Sequence, residues 1–224
     1  MADAWPWRDA PTSLPAMPAA TTFADKPTLV GERVVLRPFH EADLPALAAA
    51  IADPEVGRLT GSVHTSEEAG QGHDEGRLRE WYLTRNDRDD RLDLAVVDRR
   101  SGECVGEAVL NEWEPENSSC NFRILIGPGG RDRGLGTEAT RLILGHAFES
   151  LGLHRVGLEV YAFNPRGRRA YEKVGFVEEG VRRDALRFDG AFVDSVLMSV
   201  LAPEWDHHRG RPRPWSGAIA AGDP

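Results

Sequence analysis

Apolar side chains recur along this 224-residue chain with two periods, one typical of strands and one typical of helices. Runs rich in β-branched and aromatic residues predict strands over 33–39, 91–98, 103–113, 119–127, 154–162, 175–182 and 191–201. Apolar spacing of three and four residues predicts helices over 43–52, 66–85, 135–151 and 165–174. The expected order of elements is therefore β-α-α-β-β-β-α-β-α-β-β.

This order predicts an α/β fold with a mixed sheet, of the α+β kind. Turn residues at 100–102 and 115–117 should join three successive strands as hairpins. The strand–helix–strand unit that follows should make the strands ending at Ile126 and Ala162 parallel neighbours, joined by a right-handed crossover. Helices should therefore cover the faces of one mixed sheet, without the regular strand–helix alternation of a doubly wound fold.

The chain is expected to hold one domain, at 28–202, between two irregular ends. Residues 1–27 are rich in Ala, Pro and Thr and show no period, which predicts a mobile N-terminal arm. Residues 203–224 have a similar character and predict a mobile C-terminal tail. No internal repeat is visible in the sequence.

Composition and charge exclude several classes of partner. A net charge of −9 argues against broad nucleic-acid binding, which needs a basic surface. The apolar runs are shorter than the ~18 residues of a membrane span. Only Cys104 and Cys120 are present, without a zinc-like spacing, which favours a reducing cytoplasm and no metal. The pair His207-His208 lies in a proline-rich segment and makes a poor metal site.

A glycine-rich stretch, GGRDRGLGTEA at 129–139, precedes the third predicted helix and is typical of phosphate binding. It lacks the Lys-Ser/Thr pair that a nucleoside-triphosphate P-loop requires. Residues 134–139 match the dinucleotide pattern G-x-G-x-x-A. In that pattern, however, the first glycine follows its strand at once, whereas seven residues separate Ile126 from Gly134. The dinucleotide interpretation is therefore weak.

A pyrophosphate-binding helix start, of the pattern Arg131-x-x-Gly134-x-Gly136, is favoured instead. Glycines let backbone N–H groups approach oxygen closely, and the helix start adds unpaired donors and partial positive charge. Arg131 and Arg133 add charge beside it. The alternative is an ordinary glycine-rich turn with surface arginines.

The fourth predicted helix carries a second candidate anion site. Asn164 suits its N-cap, and Pro165 suits its first position. Cations in the first turn oppose the helix dipole, so a bound anion would compensate them. These cations are Arg166, Arg168 and Arg169. The alternative is solvated arginines paired with acids such as Glu172.

With these motifs the chain resembles the GNAT N-acetyltransferase superfamily, in which R-x-x-G-x-G begins a helix after a three-strand meander. The stretches LVGERVVLRPFHEADL and LHRVGLEVYAFNPRGRRAYEKVGFVEEGVRR resemble the branch of ribosomal-protein N-terminal acetyltransferases. The resemblance covers roughly residues 29–201. It implies the GNAT fold and an acetyl-CoA cosubstrate lying between the third and fourth predicted helices.

The resemblance also implies roles for particular residues. The residues expected to bind the coenzyme are Leu125, Ile126, Arg131, Asp132, Arg133, Gly134, Leu135, Gly136, Thr137, Asn164, Arg166, Arg169 and Tyr171. Tyr171 matches the tyrosine that this superfamily often uses as general acid. A phenol of pKa ~10 can protonate a thiolate whose conjugate acid has a pKa near ~8.5. The alternative for Tyr171 is a packing role on an amphipathic helix.

The sequence alone does not identify the general base or the acceptor amine. Glu107 and Glu112 lie on the meander near the expected cleft and are candidate bases, with Glu114 close by. The acidic chain favours a small cationic primary amine as acceptor, and the resemblance to the ribosomal-protein branch implies a protein N-terminus. The end of the last strand could pair with a second chain to form a homodimer. A non-catalytic module that binds coenzyme A is the alternative to an enzyme.

Overall fold

The computed structural model describes residues 23–69 and 74–209, whose strands form one eight-stranded mixed sheet. The strands are β1 (Leu29–Val30), β2 (Val34–Arg37), β3 (Leu92–Asp98), β4 (Cys104–Glu114), β5 (Ser119–Ile126), β6 (Arg155–Tyr161), β7 (Val177–Phe188) and β8 (Ala191–Leu201). The helices are α1 (Leu44–Ile51), α2 (Pro54–Thr60), α3 (Glu75–Leu83), α4 (Leu135–Gly145), α5 (Pro165–Glu172) and α6 (Ala202–His208). In space the strand order is β1-β2-β3-β4-β5-β6-β8-β7.

The expected mixed sheet is confirmed, including its one parallel pair. Strands β5 and β6 run parallel and pair from Ser119 opposite Arg155 to Asn121 opposite Gly157. The other neighbouring strands pair antiparallel. Beyond Asn121 and Gly157 the pairing stops although both strands continue, so an opening forms between them.

Each face of the sheet carries its own apolar core. The larger core joins α4 to alternate residues of the central strands, among them Leu94, Leu110 and Phe122. The smaller core joins α1 and α3 to the other face, with Tyr82 and Ala95 near its centre. Because successive strand residues point to opposite faces, the register determines which residues can reach each core.

A short helix, α2, begins where the sequence predicts only an end to α1. The carboxylate of Asp53 accepts a hydrogen bond from the amide of Val56 at 3.0 Å, so Asp53 caps α2, and Pro54 occupies its first position. Pro54 has no amide proton to leave unpaired there, which makes it a helix starter. The helix expected over 66–85 is shorter, since α3 spans Glu75–Leu83 with Asp74 as its cap.

The expectation that the C-terminal tail begins at residue 203 is wrong, because the first residues of that segment are folded. These residues form α6, in which Trp205 is 3% exposed and stacks on Phe148 at a ring distance of 5.8 Å. At the N-terminus, Phe23 is buried against Trp113, within the segment expected to be an arm. The remainder of both predicted ends, 1–22 and 210–224, lies outside the described residues.

The sheet edge also differs from the expectation for dimer formation. The last strand, β8, lies between β6 and β7 and is paired on both sides, so it offers no free edge to a second chain. Strand β7 forms that edge instead. Within the two described ranges, no helix is long and apolar enough to cross a membrane.

Candidate active site

A cleft of about 820 Å³ opens where β5 and β6 separate. Residues of β5, β6, α2, α4 and α5 line it, together with the glycine loop. Leu125 and Ile126 contribute from β5, as the resemblance implies. Backbone groups of β5 beyond Asn121 have no partner strand on the β6 side, so they face this space.

The N-terminus of α4 presents free backbone donors to the cleft. Gly134 is the N-cap with φ 75°, and no side chain caps the helix. The first intrahelical bond runs from the Glu138 amide to the Gly134 carbonyl, so the structure gives the amides of 135–137 no acceptor among the described residues. Gly134, Gly136 and Thr137 line the cleft. This end of α4 fits an anionic group such as a pyrophosphate.

Gly136 packs tightly against β5, so a larger residue there would need the Ile126 side chain to shift. A Cβ atom there would lie 3.3 Å from the side chain of Ile126 on β5. The helix start can therefore approach β5 closely, and the backbone remains accessible from the cleft.

Arg131 lines the cleft but is held by carboxylates of α2. Its guanidinium lies 2.6 Å from Asp53 and 2.6 Å from Glu55, and its Nε donates to the carbonyl of Ile126 at 3.2 Å. Side-chain carboxylates thus already balance the charge of Arg131. The expectation that this side chain adds free positive charge to the loop is corrected, because α2 folds against it.

Two residues expected to bind the coenzyme turn their side chains away from the cleft. The guanidinium of Arg133 lies 2.5 Å from the carboxylate of Asp98 and donates to the carbonyl of Gly129, behind the loop. Leu135 is 2% exposed and belongs to the larger core. Asp132 and Gly134 line the cleft, whereas Arg133 and Leu135 do not.

Helix α5 forms the other wall and brings two of its three arginines to the cleft. Asn164 caps the helix by accepting from the Gly167 amide at 2.8 Å, and it also lines the cleft. Arg166 lies 2.9 Å from Glu55, and Arg169 is exposed at the cleft. Arg168 instead pairs with Glu172 and Glu178.

Tyr171 reaches the cleft from α5 through an apolar setting. Its ring packs edge-on against the rings of Phe122 and Phe176, with distances between ring centres of 6.3 Å and 5.8 Å respectively. Burial raises the pKa of Tyr171 to about 12. The phenol is therefore protonated throughout the neutral range, as a proton donor must be.

Glu107 and Glu112, the two candidate bases, both line the cleft but differ in environment. Glu107 is 7% exposed, and burial raises the pKa of its carboxyl group. Arg123, 3.7 Å away, and a hydrogen bond from Tyr82 oppose that shift. Glu112 is exposed and lies in an irregularity of β4 with φ 52°.

Several lining residues were not identified from the sequence. They are Val56, Leu59, Thr60, Asn121, Arg123, Glu159, Tyr161, Ala170 and Lys173. The signal that could have revealed α2 is the Asp53-Pro54 pair, which marks a helix start. In the described part of the chain, no group of three or more His, Cys, Asp or Glu side chains could hold a metal ion.

The mixed sheet has separating parallel strands, and the start of α4 lies at the gap between them. The chain belongs to the GNAT acetyltransferase family, whose acetyltransferase (GNAT) domain model matches residues 33–177. It is an acetyl-CoA-dependent N-acetyltransferase, as the resemblance implied.

Relatives and solved structures agree with this assignment. YokL, an uncharacterized prophage-derived N-acetyltransferase of Bacillus subtilis, is 24% identical over 80% of this chain and 96% of its own length. YdaF of the same organism, whose name assigns it provisionally to the ribosomal N-acetyltransferases, is 32% identical over 47% of this chain and 57% of its own. The structure of a GCN5-related N-acetyltransferase from Brucella melitensis shares 27% identity and a TM-score of 0.67, covering 81% of each chain.

Two further comparisons concern a polyamine acetyltransferase. The spermidine N(1)-acetyltransferase of Vibrio cholerae is 29% identical over 49% of this chain and 64% of its own length. A structure of spermidine N-acetyltransferase from that organism, in complex with CoA and spermine, has a TM-score of 0.69 at 22% identity, covering 78% of this chain and 99% of the other. At that identity the structural likeness concerns the fold.

Proposed function

We propose that this enzyme moves an acetyl group from acetyl-CoA to a primary amine by direct attack in a ternary complex. One observation carries the proposal: a single cleft joins the free amides of α4 to a protonated phenol, Tyr171, and a buried carboxyl group, Glu107. Neither Cys104 nor Cys120 lines that cleft, and burial raises the thiol pKa of both, so neither is a suitable nucleophile.

The coenzyme would be held by the two helix walls. Its pyrophosphate would accept hydrogen bonds from the amides at the start of α4, with Arg166 and Arg169 facing it from α5. Asn164 would contact the pantetheine arm while it caps α5. When bound, acetyl-CoA supplies a thioester carbonyl that an amine can attack.

The separated edge of β5 would stabilise the charge that develops on the thioester oxygen. Beyond Asn121 the backbone N–H groups on this side of the strand have no β6 partner. Donors fixed by a sheet need no reorganisation during the reaction, which makes such groups effective for an oxyanion. This step requires only backbone atoms, so substitution of side chains on β5 should affect it little.

Tyr171 would act as general acid toward the departing sulfur. Its raised pKa follows from the apolar contacts with Phe122 and Phe176, and a thiolate leaving into the same surroundings would also have a raised pKa. The two groups therefore remain matched for proton transfer. The phenolic proton goes to sulfur as the carbon–sulfur bond breaks.

Glu107 would act as general base toward the attacking amine. Its carboxyl group lines the cleft, and burial moves its pKa toward the neutral range, where a base is most effective. The amine nitrogen bonds to the carbonyl carbon, and its surplus proton passes to Glu107 directly or through one water. Exposed Glu112 has no comparable environment and is the weaker candidate.

The acceptor is proposed to be a cationic amine, either a small polyamine or a protein N-terminus. Glu107, Glu112 and Glu159 line the cleft. Arg123 lies 3.7 Å from Glu107 and Arg182 lies 2.7 Å from Glu159, so Glu112 is the one of the three that no ion pair among the described residues engages. Relatives are named for each class: a spermidine acetyltransferase and a provisional ribosomal N-acetyltransferase.

A panel of amine acceptors tests the proposal. Spermidine, free amino acids and short peptides with free N-termini are incubated with acetyl-CoA, and both thiol release and the acetylated product are measured. We expect turnover with at least one cationic amine, and none with N-terminally blocked peptides that lack lysine. Coenzyme binding without transfer to any member of a broad panel would contradict the proposed reaction.

A further inference from the structure

A second concavity, of about 480 Å³, lies behind the glycine loop. Its lining shares no residue with the acetyl-transfer cleft. The residues that line it are Glu32, Arg33, Asp98, Arg99, Arg100, Arg133 and Leu135. Four arginines thus meet in one small site of a chain whose net charge is −9. We name it the arginine pocket.

Backbone carbonyls hold three of these guanidinium groups in place. Arg33 donates to the carbonyl of Arg133 at 3.1 Å, and Arg99 donates to that of Gly31 at 2.6 Å. Arg133 donates to the carbonyl of Gly129 at 3.0 Å. A guanidinium group has five N–H donors, so each keeps further donors for a ligand. Anchoring of this kind lowers the entropy lost when the ligand binds.

The charges in the arginine pocket are not balanced internally. Asp98 accepts from the Arg100 amide at 3.0 Å and from Arg133 at 2.5 Å, and these contacts hold the pKa of its carboxyl group below the usual value. Asp98 is therefore ionised at neutral pH. With Glu32 it offsets two of the four positive charges. Among the residues that line the pocket, an excess of two positive charges remains, which a dianion would match; the nearby carboxylate of Glu138 accepts from the backbone amides of Glu32 and Arg33.

We propose that the arginine pocket binds a phosphate group. Guanidinium groups recognise phosphate through paired N–H donors, and an ion carrying nearly two negative charges at neutral pH matches the excess in the pocket. A single carboxylate would supply half that charge. The residues that line the arginine pocket are distinct from those that line the cleft.

Two sources could deliver such a phosphate group. One is a separate ion or phosphate ester; the other is the 3′-phosphate of coenzyme A, if the adenosine end passes around the loop. Binding of inorganic phosphate in the presence of saturating coenzyme A distinguishes them, because only a separate phosphate remains bound. Comparing coenzyme A with dephospho-coenzyme A tests the second source directly.

Titration of the full chain with sodium phosphate, at constant ionic strength and in the absence of other oxyanions, tests the pocket. The double substitution Arg99→Gln with Arg100→Gln removes two cations without touching the cleft. The matched control, Arg183→Gln with Arg187→Gln, removes two exposed arginines of β7. We expect saturable binding that the first variant weakens by roughly tenfold or more, whereas the control remains within about twofold of wild type.

Specific results would overturn the proposal. Wild-type protein that takes up no phosphate, or equal weakening in both variants, would show that the pocket is not a site. Coenzyme A could also displace the phosphate while the Arg99/Arg100 variant binds coenzyme A and dephospho-coenzyme A with wild-type affinity. That pair of results would place the phosphate in the cleft, and the proposal would fail. If the wild-type protein does not bind coenzyme A, the proposed acetyl transfer is contradicted, but the measurement of phosphate binding remains valid.

Discussion

Tyr171 and Glu107 line one cleft from opposite faces of the sheet. Glu107 pairs with Leu125 on β5, and its side chain shares the face of the smaller core. The ring of Tyr171 contacts Phe122, which points to the larger core on the other face. The gap between β5 and β6 separates the two groups. In the proposed reaction the amine would approach from the Glu107 side, and the sulfur would leave on the Tyr171 side.

Replacing Tyr171 by Phe should lower kcat by roughly a hundredfold or more, which is the usual contribution of a general acid. The ring contacts with Phe122 and Phe176 remain, so the coenzyme affinity and stability should change little. Tyr161→Phe is the matched control, because Tyr161 also lines the cleft. Steady-state kinetics measures kcat, and calorimetry measures the coenzyme affinity. An unchanged kcat in Tyr171→Phe would contradict the role of Tyr171 as general acid.

Replacing Glu107 by Gln should remove the acidic limb of the pH–rate profile. Burial raises the pKa of Glu107, so the base form accumulates only as pH rises through a value above the ordinary 4.5. In wild type kcat/KM should climb across that range, whereas the variant should be slow and flat there. A second limb, from the acceptor ammonium group, should persist in both. If Glu112→Gln loses the limb and Glu107→Gln keeps it, the base is Glu112.

Replacing Glu55 by Gln should tighten coenzyme binding at low salt. Glu55 lies 2.6 Å from Arg131 and 2.9 Å from Arg166, so it would compete with the proposed phosphate group for both cations. Half-exposed pairs contribute little, and the expected gain is roughly twofold to fivefold, vanishing at high salt. Glu103→Gln, an exposed residue between β3 and β4, controls for net charge. Weaker binding by Glu55→Gln would instead indicate that this carboxylate positions the arginines.

Much of the cleft lining could be predicted because its signals are short-range. The glycines at 134 and 136, the cap Asn164 and the aromatic Tyr171 lie within motifs of a few residues, and all four line the cleft. Pattern alone could not reveal the carboxylates that hold Arg131. Its two partners lie 76 and 78 residues earlier, and such pairing depends on how α2 packs.

Helices near proline were the least predictable part of the fold. The Asp53-Pro54 pair can end one helix or begin the next, and here α2 begins within three residues of the end of α1. In the same way Pro203, in a segment of tail-like composition, lies in the first turn of α6. Only the burial of Trp205 against Phe148 distinguishes that segment from a tail.

Replacing Gly134 by Ala should strain the loop that starts α4. The φ of 75° lies in the left-handed region, where an alanine costs about 1–2 kcal/mol. We expect a loss of this size in the free energy of unfolding, or weaker coenzyme binding if the loop relaxes. Gly134→Asn should lose less, since Asn tolerates this conformation. Denaturant unfolding and calorimetry give the comparison; equal behaviour of Ala and Gly would exclude strain as the reason for the glycine.

Replacing Trp205 by Ala should lower the free energy of unfolding by about 3–5 kcal/mol, as for other buried tryptophans. The stack on Phe148 and the hydrogen bond from Nε1 to Glu149, 2.9 Å long, are both lost. Trp205→Phe keeps the stack and should lose less. Urea denaturation measures the free energy of unfolding of each variant. A Trp205→Ala protein as stable as wild type would show that residues 203–208 do not contribute to the folded domain.

Calorimetric titration of coenzyme A into the full chain tests the central claim most directly. The cleft between α4 and α5, with its free amides and Arg166 and Arg169, should bind one coenzyme A per chain in a saturable, salt-sensitive manner. Arg166→Gln with Arg169→Gln should weaken that binding by roughly tenfold or more. No measurable binding to the wild-type chain at millimolar coenzyme A would contradict the account.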